Sequence, residues 1–206
     1  ADELVLLDVS ATPEGRSHQH ETVRKVRTEL SIPLTCGGGV RVADDAGRLL
    51  DAGADKVSVN TAAVVMPELV SEMATRFGSQ CTVIAVDAAR NDAGGWEVVV
   101  KSGRERTGRD VIEWSKEVVE RGAGEILLTS WDRDGTRSGY ELDLLGAVSE
   151  AVMVPVIASG GAANPAHLIE ALKAGADAVL AASIFHDGEY TVNSLKAVLR
   201  ESGVEV

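Results

Sequence analysis

Two aspartates and two pairs of glycines are the residues of this chain best suited to chemistry. Asp8 and Asp87 close the apolar runs "ELVLLD" and "CTVIAVD". An aspartate at the end of a buried strand can act as general acid or base, with burial setting its pKa. It can equally cap a helix or brace a loop. Gly38-Gly39 and Gly160-Gly161 follow two further apolar runs. Backbone N–H groups of a glycine-rich turn that opens a helix bind anions without any lysine or arginine. One such site would combine Gly38 and Gly39 with Asn60 and Thr61. The other would combine Gly160 and Gly161 with Ala182, Ser183 and the Asp134-Gly135 step of "SWDRDGTRSGY". Two matched anion sites suit an elongated substrate with a phosphate at each end. The plainer alternative is that these glycines only form turns, and turn formation also accounts for Asp132. Glu3, Lys56 and Glu125 each begin an apolar run. They form either a salt-bridged ring or ordinary solvated loop charge, and spacing alone favours the second.

These residues sit in a strict alternation of strand and helix patterns. Strands are expected at 3–9, 32–36, 56–60, 81–87, 125–129, 154–158 and 178–182. Helices are expected at 18–30, 43–52, 67–77, 109–121, 141–151, 165–174 and 191–201. Asn164-Pro165 pairs a good cap with proline at the first helical position, and Met66-Pro67 marks a second start. The strands are continuous apolar runs rather than alternating ones, which indicates a parallel sheet covered on both faces. "RNDAGGW" followed by "WEVVVK" is expected to form a small hairpin on one long loop.

An internal repeat separates the two architectures that such alternation allows, an open doubly wound sheet and a closed barrel. Residues 155–185 slide back by 122 positions onto 33–63 without a gap. Pro155 meets Pro33, Gly160-Gly161 meet Gly38-Gly39, and "AGAD" at 174–177 meets "AGAD" at 52–55. A repeat holding several βα units describes two half-barrels, here about 1–78 and 79–206, within one domain spanning 1–206. The fold class is therefore a TIM-type (βα) barrel with chemistry on the loops after the strands. The same offset predicts a βα unit ahead of Ala1 that these 206 residues do not include. Seven units of the usual eight would leave two unpaired edges, and each unsatisfied backbone group costs about 1–3 kcal/mol. The expectation is that the gap is filled, by self-association into a homo-oligomer through those edges or by closure as a strained seven-strand barrel.

Composition narrows the partners. Of the 206 residues 45% are hydrophobic, enough for one packed core, and the net charge of −12 repels phosphate backbones. Nucleic acid is not an expected partner, and no apolar run is long enough to span a membrane. The first residues do not read as a signal peptide, so a cytoplasmic location is expected. Cys36 and Cys81 are read as reduced core residues. His18 and His20 are read as solvent-facing. No Cys/His cluster has metal-ligand spacing, and no cofactor is expected.

Seven stretches in order cover nearly the whole chain: "ADELVLLDVSA", "IPLTCGGGVR", "GADKVSVNTAAV", "FGSQCTVIAVDA", "GAGEILLTSWDRDGTRSGY", "PVIASGGAANPAH" and "LAASIFHDGEY". Through them the chain resembles the cyclase subunits of imidazole glycerol phosphate synthase, in histidine biosynthesis. A sister sugar-phosphate isomerase family shares the half-barrel symmetry and the DGT loop but is less like "SVNTAAV" and "LAASIFH". The resemblance implies a lyase that joins ammonia, delivered by a separate glutaminase subunit, to a ribulosyl aminoimidazole-carboxamide nucleotide carrying two phosphates. It implies that Asp87 is the second of two acid–base aspartates; Asp8, from its place at a strand end, is a candidate supporting carboxylate beside it. It implies phosphate contacts at Gly38, Gly39, Asn60, Thr61, Asp134, Gly135, Gly160, Gly161, Ala182 and Ser183. It also implies an ammonia gate at Glu3, Lys56 and Glu125. The family's first unit, with its first aspartate, a loop lysine and a gate arginine, is not in this sequence, so reduced turnover is expected. Trp131 stands where the family carries a smaller residue. A non-catalytic, self-assembling bisphosphate-binding barrel and the sister isomerase are the alternative readings.

Overall fold

The computed structural model describes residues 1–8 and 20–206. In chain order the strands are β1 (Leu4–Leu7), β2 (Leu34–Gly37), β3 (Lys56–Val59), β4 (Thr82–Arg90), β5 (Trp96–Val100), β6 (Glu105–Asp110), β7 (Glu125–Ser130), β8 (Val156–Ser159) and β9 (Ala178–Val179). The helices are α1 (His20–Glu29), α2 (Ala43–Asp51), α3 (Thr61–Val65), α4 (Glu68–Phe77), α5 (Val111–Glu120), α6 (Leu142–Ala151), α7 (Pro165–Lys173), α8 (Ser183–His186) and α9 (Val192–Glu201). A short 3-10 turn at Ser79–Cys81 leads into β4.

Seven strands pair in parallel in the order β1-β2-β3-β4-β7-β8-β9, and β5 and β6 form an antiparallel hairpin on the end of β4. Apolar faces of the intervening helices bury Val23, Leu49, Leu69, Trp114, Leu145 and Leu168 against the sheet. Such two-sided burial is why the strands read as unbroken apolar runs. The Arg109 guanidinium lies 4.4 Å from the centroid of the Trp114 ring.

The 122-residue repeat is also a repeat of hydrogen bonds. Leu4 N donates to Pro33 O at 2.9 Å, and Ile126 N donates to Pro155 O at 3.0 Å. Leu34 N donates to Asp55 Oδ2 at 2.8 Å, and Val156 N donates to Asp177 Oδ2 at 2.9 Å. In return Asp55 N and Asp177 N donate to the carbonyls of Leu34 and Val156. The aspartate of each "AGAD" thus locks the start of one strand to the start of the next. Asp55 alone also takes Arg27, at 2.9 Å.

Several sequence expectations are corrected. The fourth strand does not end at Asp87: it runs on to Arg90, because Asp87–Arg90 gain a second partner in β5. β6 occupies the start expected for the next helix, which begins at Val111. The last strand spans two residues rather than 178–182, as expected of an edge with one neighbour, and Leu180 N still reaches Ala158 O at 2.8 Å. The short helices α3 and α8 give no periodic signal. Closure as a seven-strand barrel is not adopted among the described residues, where β1 and β9 end the sheet order. The first and last units are tied instead by Lys196 Nζ on α9, 2.6 Å from Asp2 Oδ1. Cys81 is half-buried in the 3-10 turn, whereas Cys36 lies in the core, where burial pushes its thiol up to about 11. His20 is half-buried, and His18 lies outside the described residues. The Asn164 cap on His167 N, with Pro165 at the first position, is found as expected.

Replacing Asp177 with alanine leaves the Val156 N–H buried without its side-chain acceptor, at a cost of about 1–3 kcal/mol. Asp55→Ala should cost more, because Arg27 loses its carboxylate partner as well, keeping only the Leu30 and Ile32 carbonyls. Urea unfolding of the two variants checks the order; equal or negligible losses would refute the locking role.

Candidate active site

Parallel pairing brings the C-terminal ends of the strands together at one mouth, and Asp87 stands there on β4. In register Asp87 pairs with Thr129 of β7 and Val99 of β5. Its Oδ2 accepts from Asn60 Nδ2 at 2.9 Å, just past the end of β3. Asp134, in the loop after β7, lies within electrostatic reach of it. Burial is the main force raising the Asp87 pKa, and the Asp134 charge adds to it. The Asn60 hydrogen bond opposes both, and the net value is about 6, against an ordinary 3.8. Such a carboxyl can hold or release a proton near neutral pH. Asn60 Oδ1 is buried with no partner among the described residues.

The two glycine turns flank this carboxylate. Gly38 has φ +96°, and a Cβ there would lie 2.2 Å from the Asp8 carbonyl oxygen. Gly161 has φ +99°, and its Cβ would lie 2.2 Å from Gly139 O. Both positions therefore exclude any side chain twice over, by backbone conformation and by close approach. Gly160 packs against Ser130 O and Asp134, so the DGT loop and the second glycine pair do meet, as expected. Asn60 and Ala182, equivalent under the repeat, have similar dihedrals (φ −117°, ψ −87° and φ −124°, ψ −65°) and open α3 and α8. At both, the first helical N–H groups lack an intrahelical acceptor.

Several of the expected residues make side-chain contacts of their own. Asn60 turns its amide to Asp87, and Thr61 Oγ1 accepts from Lys101 N at 3.0 Å, at the tip of the β5–β6 hairpin. Asp8 follows β1, with its N–H on Gly37 O at 2.8 Å and its backbone against Gly38. It is part of the wall of the first turn. Gly39 joins the same turn, while Gly135 and Ser183 are exposed.

At the opposite end the three charges form the ring that spacing alone did not favour. Lys56 Nζ donates to Glu3 Oε2 at 2.8 Å and to Glu125 Oε1 at 2.6 Å. Their side chains are only 18–25% exposed, so this is not solvated loop charge. Burial pulls the Lys56 ammonium down, but the hydrogen bonds it donates to Glu125 and Glu3 outweigh it, and its pKa ends above the ordinary lysine value. Thr35, which the sequence analysis missed, donates from Oγ1 to Glu3 Oε1 and pairs in register with Lys56. Glu125 Oε2 is buried without a partner among the described residues. No group of three or more His, Cys, Asp or Glu among the described residues could hold a metal ion. No helix among them is long and apolar enough to cross a membrane.

A family model described as histidine biosynthesis protein matches residues 1–191. The chain belongs to the histidine biosynthesis protein family. It is 54% identical over 206 residues to the imidazole glycerol phosphate synthase subunit HisF of Gluconacetobacter diazotrophicus, covering all of this chain and 80% of that protein. The TIM-type fold and the assignment as a histidine-biosynthesis enzyme, reached above from motifs, stand on these matches. Trp131, the departure from the family pattern noted above, has a structural use here. Its indole packs on Gly103, where a Cβ would lie 2.2 Å from the ring, and so seats the hairpin tip beside the mouth.

Two outcomes follow. The fold favours neutral Asp87, so this contribution is fully present below about pH 4 and is lost as pH rises through about 6. Ionised Asp87 therefore destabilises the protein at neutral pH, by at most roughly 3 kcal/mol. Asp87→Asn should raise Tm at about pH 7.5 and lose that gain towards about pH 4; a pH-independent change in Tm would contradict this. Gly161→Ala should cost well beyond the about 1–2 kcal/mol of left-handed strain that Gly135→Ala incurs, because Gly135 meets nothing within 4 Å. Urea midpoints of the two variants test the contrast.

Proposed function

We propose that this chain is the cyclase of an imidazole glycerol phosphate synthase, with Asp87 as an acid–base group and the two glycine turns as phosphate sites. The observation that carries the proposal is Asp87 itself. It is a half-buried carboxyl at the barrel mouth, held by Asn60 and raised to about 6, between two pseudo-equivalent turns. The substrate class is a ribulosyl aminoimidazole-carboxamide nucleotide with a phosphate at each end. One phosphate would meet Gly38, Gly39, Asn60 and Thr61. The other would meet Asp134, Gly135, Gly160, Gly161, Ala182 and Ser183. Asn60 would then serve both the phosphate site, through its backbone, and Asp87, through its side chain. Asp8 would support the first turn.

The Glu3–Lys56–Glu125 ring is assigned as the gate through which ammonia from a glutaminase subunit enters. Lys56, Ser58 and Asn60 occupy alternate positions along one stretch of chain at and just beyond β3 and so share one face of the sheet. They run from the ring to Asp87, about 13 Å at the rise of a strand. Buried oxygens with no partner among the described residues line this run, at Glu125 Oε2, Ser58 Oγ and Asn60 Oδ1. Acceptors placed in that way suit a small N–H donor moving between the ends of the barrel.

The test is ammonia-dependent consumption of the nucleotide substrate by the wild-type chain and by Asp87→Asn. General acid–base catalysis is worth about 10²–10⁴-fold, so the variant should lose that much while retaining substrate binding. Equal turnover in both proteins would remove Asp87 from the chemistry. Substrate binding with no turnover in either would favour a non-catalytic bisphosphate-binding protein.

A further inference from the structure

Glu141 is nearly buried, its side chain 8% exposed, although it stands at the N-cap of α6. A carboxylate there normally accepts from the first N–H groups of its helix, but Glu141 makes no such bond. Both its oxygens go instead to arginines from two other segments. Oε1 accepts from Arg90 NH2 at 2.7 Å, and Oε2 accepts from Arg133 Nε at 3.2 Å. Arg90 lies three residues beyond Asp87 on β4, and Arg133 directly precedes Asp134. One buried carboxylate therefore grips both segments that carry the two aspartates.

Further bonds join the same two segments. Arg90 N donates to Asp132 Oδ2 at 2.8 Å, and the Arg90 guanidinium lies 5.0 Å from the centroid of the Trp96 ring. Arg133 NH1 donates to Ser138 Oγ at 3.2 Å. Two like charges, Asp87 and Asp134, repel each other, so a loop free to move would carry the exposed Asp134 away from Asp87. Charge-assisted bonds to a desolvated carboxylate are strong enough to oppose that.

We propose that Glu141 is a positioning residue that sets the approach of Asp134 to Asp87 through Arg133 and Arg90. It touches no reacting atom. The catalytic consequence rests on the assignment of Asp87 made above; the positioning itself does not. Of the elements packed on Asp87, β3 and its end offer Asn60, β5 offers Val99 and β7 offers Thr129, all uncharged. The loop after β7 offers the Asp134 carboxylate.

The experiment is NMR titration of the Asp87 side-chain carboxyl in ¹³C-aspartate-labelled protein, for wild type, Glu141→Gln, Glu141→Asp and Arg133→Gln. With the loop released, the Asp87 midpoint should move down from about 6 in Glu141→Gln and Arg133→Gln. It should return part-way in Glu141→Asp. In an Asp134→Asn background, Glu141→Gln should move it no further, because the charge being positioned is gone. A midpoint that stays in place in the folded variants, or that moves equally without the Asp134 charge, overturns the proposal. Arg133→Gln decides the matter if Glu141→Gln fails to fold, because Arg133 is 39% exposed and leaves the Arg90–Glu141 pair intact. In the same variants kcat should fall roughly 10–100-fold, with KM changing less. A shifted midpoint with unchanged kcat would keep the positioning role and remove Asp87 from catalysis.

Discussion

The mouth of the barrel depends on the seam between its two halves, the parallel pairing of β4 with β7. Six residues of each strand are in register, Val83–Ala88 against Glu125–Ser130. That register sets Asp87 beside Thr129, near the end of β7 and the DRDGT loop that follows it, and sets Glu125 at the strand start, where it meets Lys56 of β3 across β4. A slip of one residue would turn every side chain of β4 to the other face. It would carry Asp87 away from Asn60 and bury its charge among helix side chains. The seam is protected because β4 is a central strand, with β3 on one side, β7 on the other and β5 folded onto its far end.

The two ends of the barrel handle charge in opposite ways. At the strand starts, opposite charges are paired: Lys56 holds two glutamates in a ring partly withdrawn from water. At the strand ends, like charges are set within reach of each other, and burial plus the Asp134 field lift Asp87 far above an ordinary carboxylate. The first arrangement suits a closure, the second a proton-transfer group. A net charge of −12 makes the second arrangement costlier still. The arginines at 90 and 133 are spent within the protein on Glu141 rather than left facing the mouth.

The hairpin of β5 and β6 lies in the second half of the chain, yet it touches both halves. Its tip reaches Thr61 at the end of the first half and Trp131 in the second. Lys101, Ser102 and Gly103 all take positive φ there, an unfavourable conformation for the two with side chains. The contacts to Thr61 and Trp131 hold that tip in place, and the bulky Trp131 takes its meaning from them.

The barrel class, the 122-residue repeat, the two glycine turns and the place of Asp87 late in a buried strand are legible in the sequence. Each is written in local periodicity or in a gapless repeat: Pro33 and Pro155, the paired glycines, and "AGAD" twice. What the chain order conceals is every contact made across it. Asn60 has its hydrogen-bond partner 27 residues away, Lys56 reaches Glu125 across 69 positions, and Arg90 reaches Glu141 across 51. No spacing rule encodes those distances, because strands far apart in the chain become neighbours only once the sheet curls. For that reason the ring of Glu3, Lys56 and Glu125 looked like solvated charge by spacing, and Glu141 looked like an ordinary helix start. The sequence by itself determined which residues end up at the mouth and at the base. Only the tertiary structure decided their charge state and their partners, because desolvation and through-space fields exist only after the strands have been brought side by side.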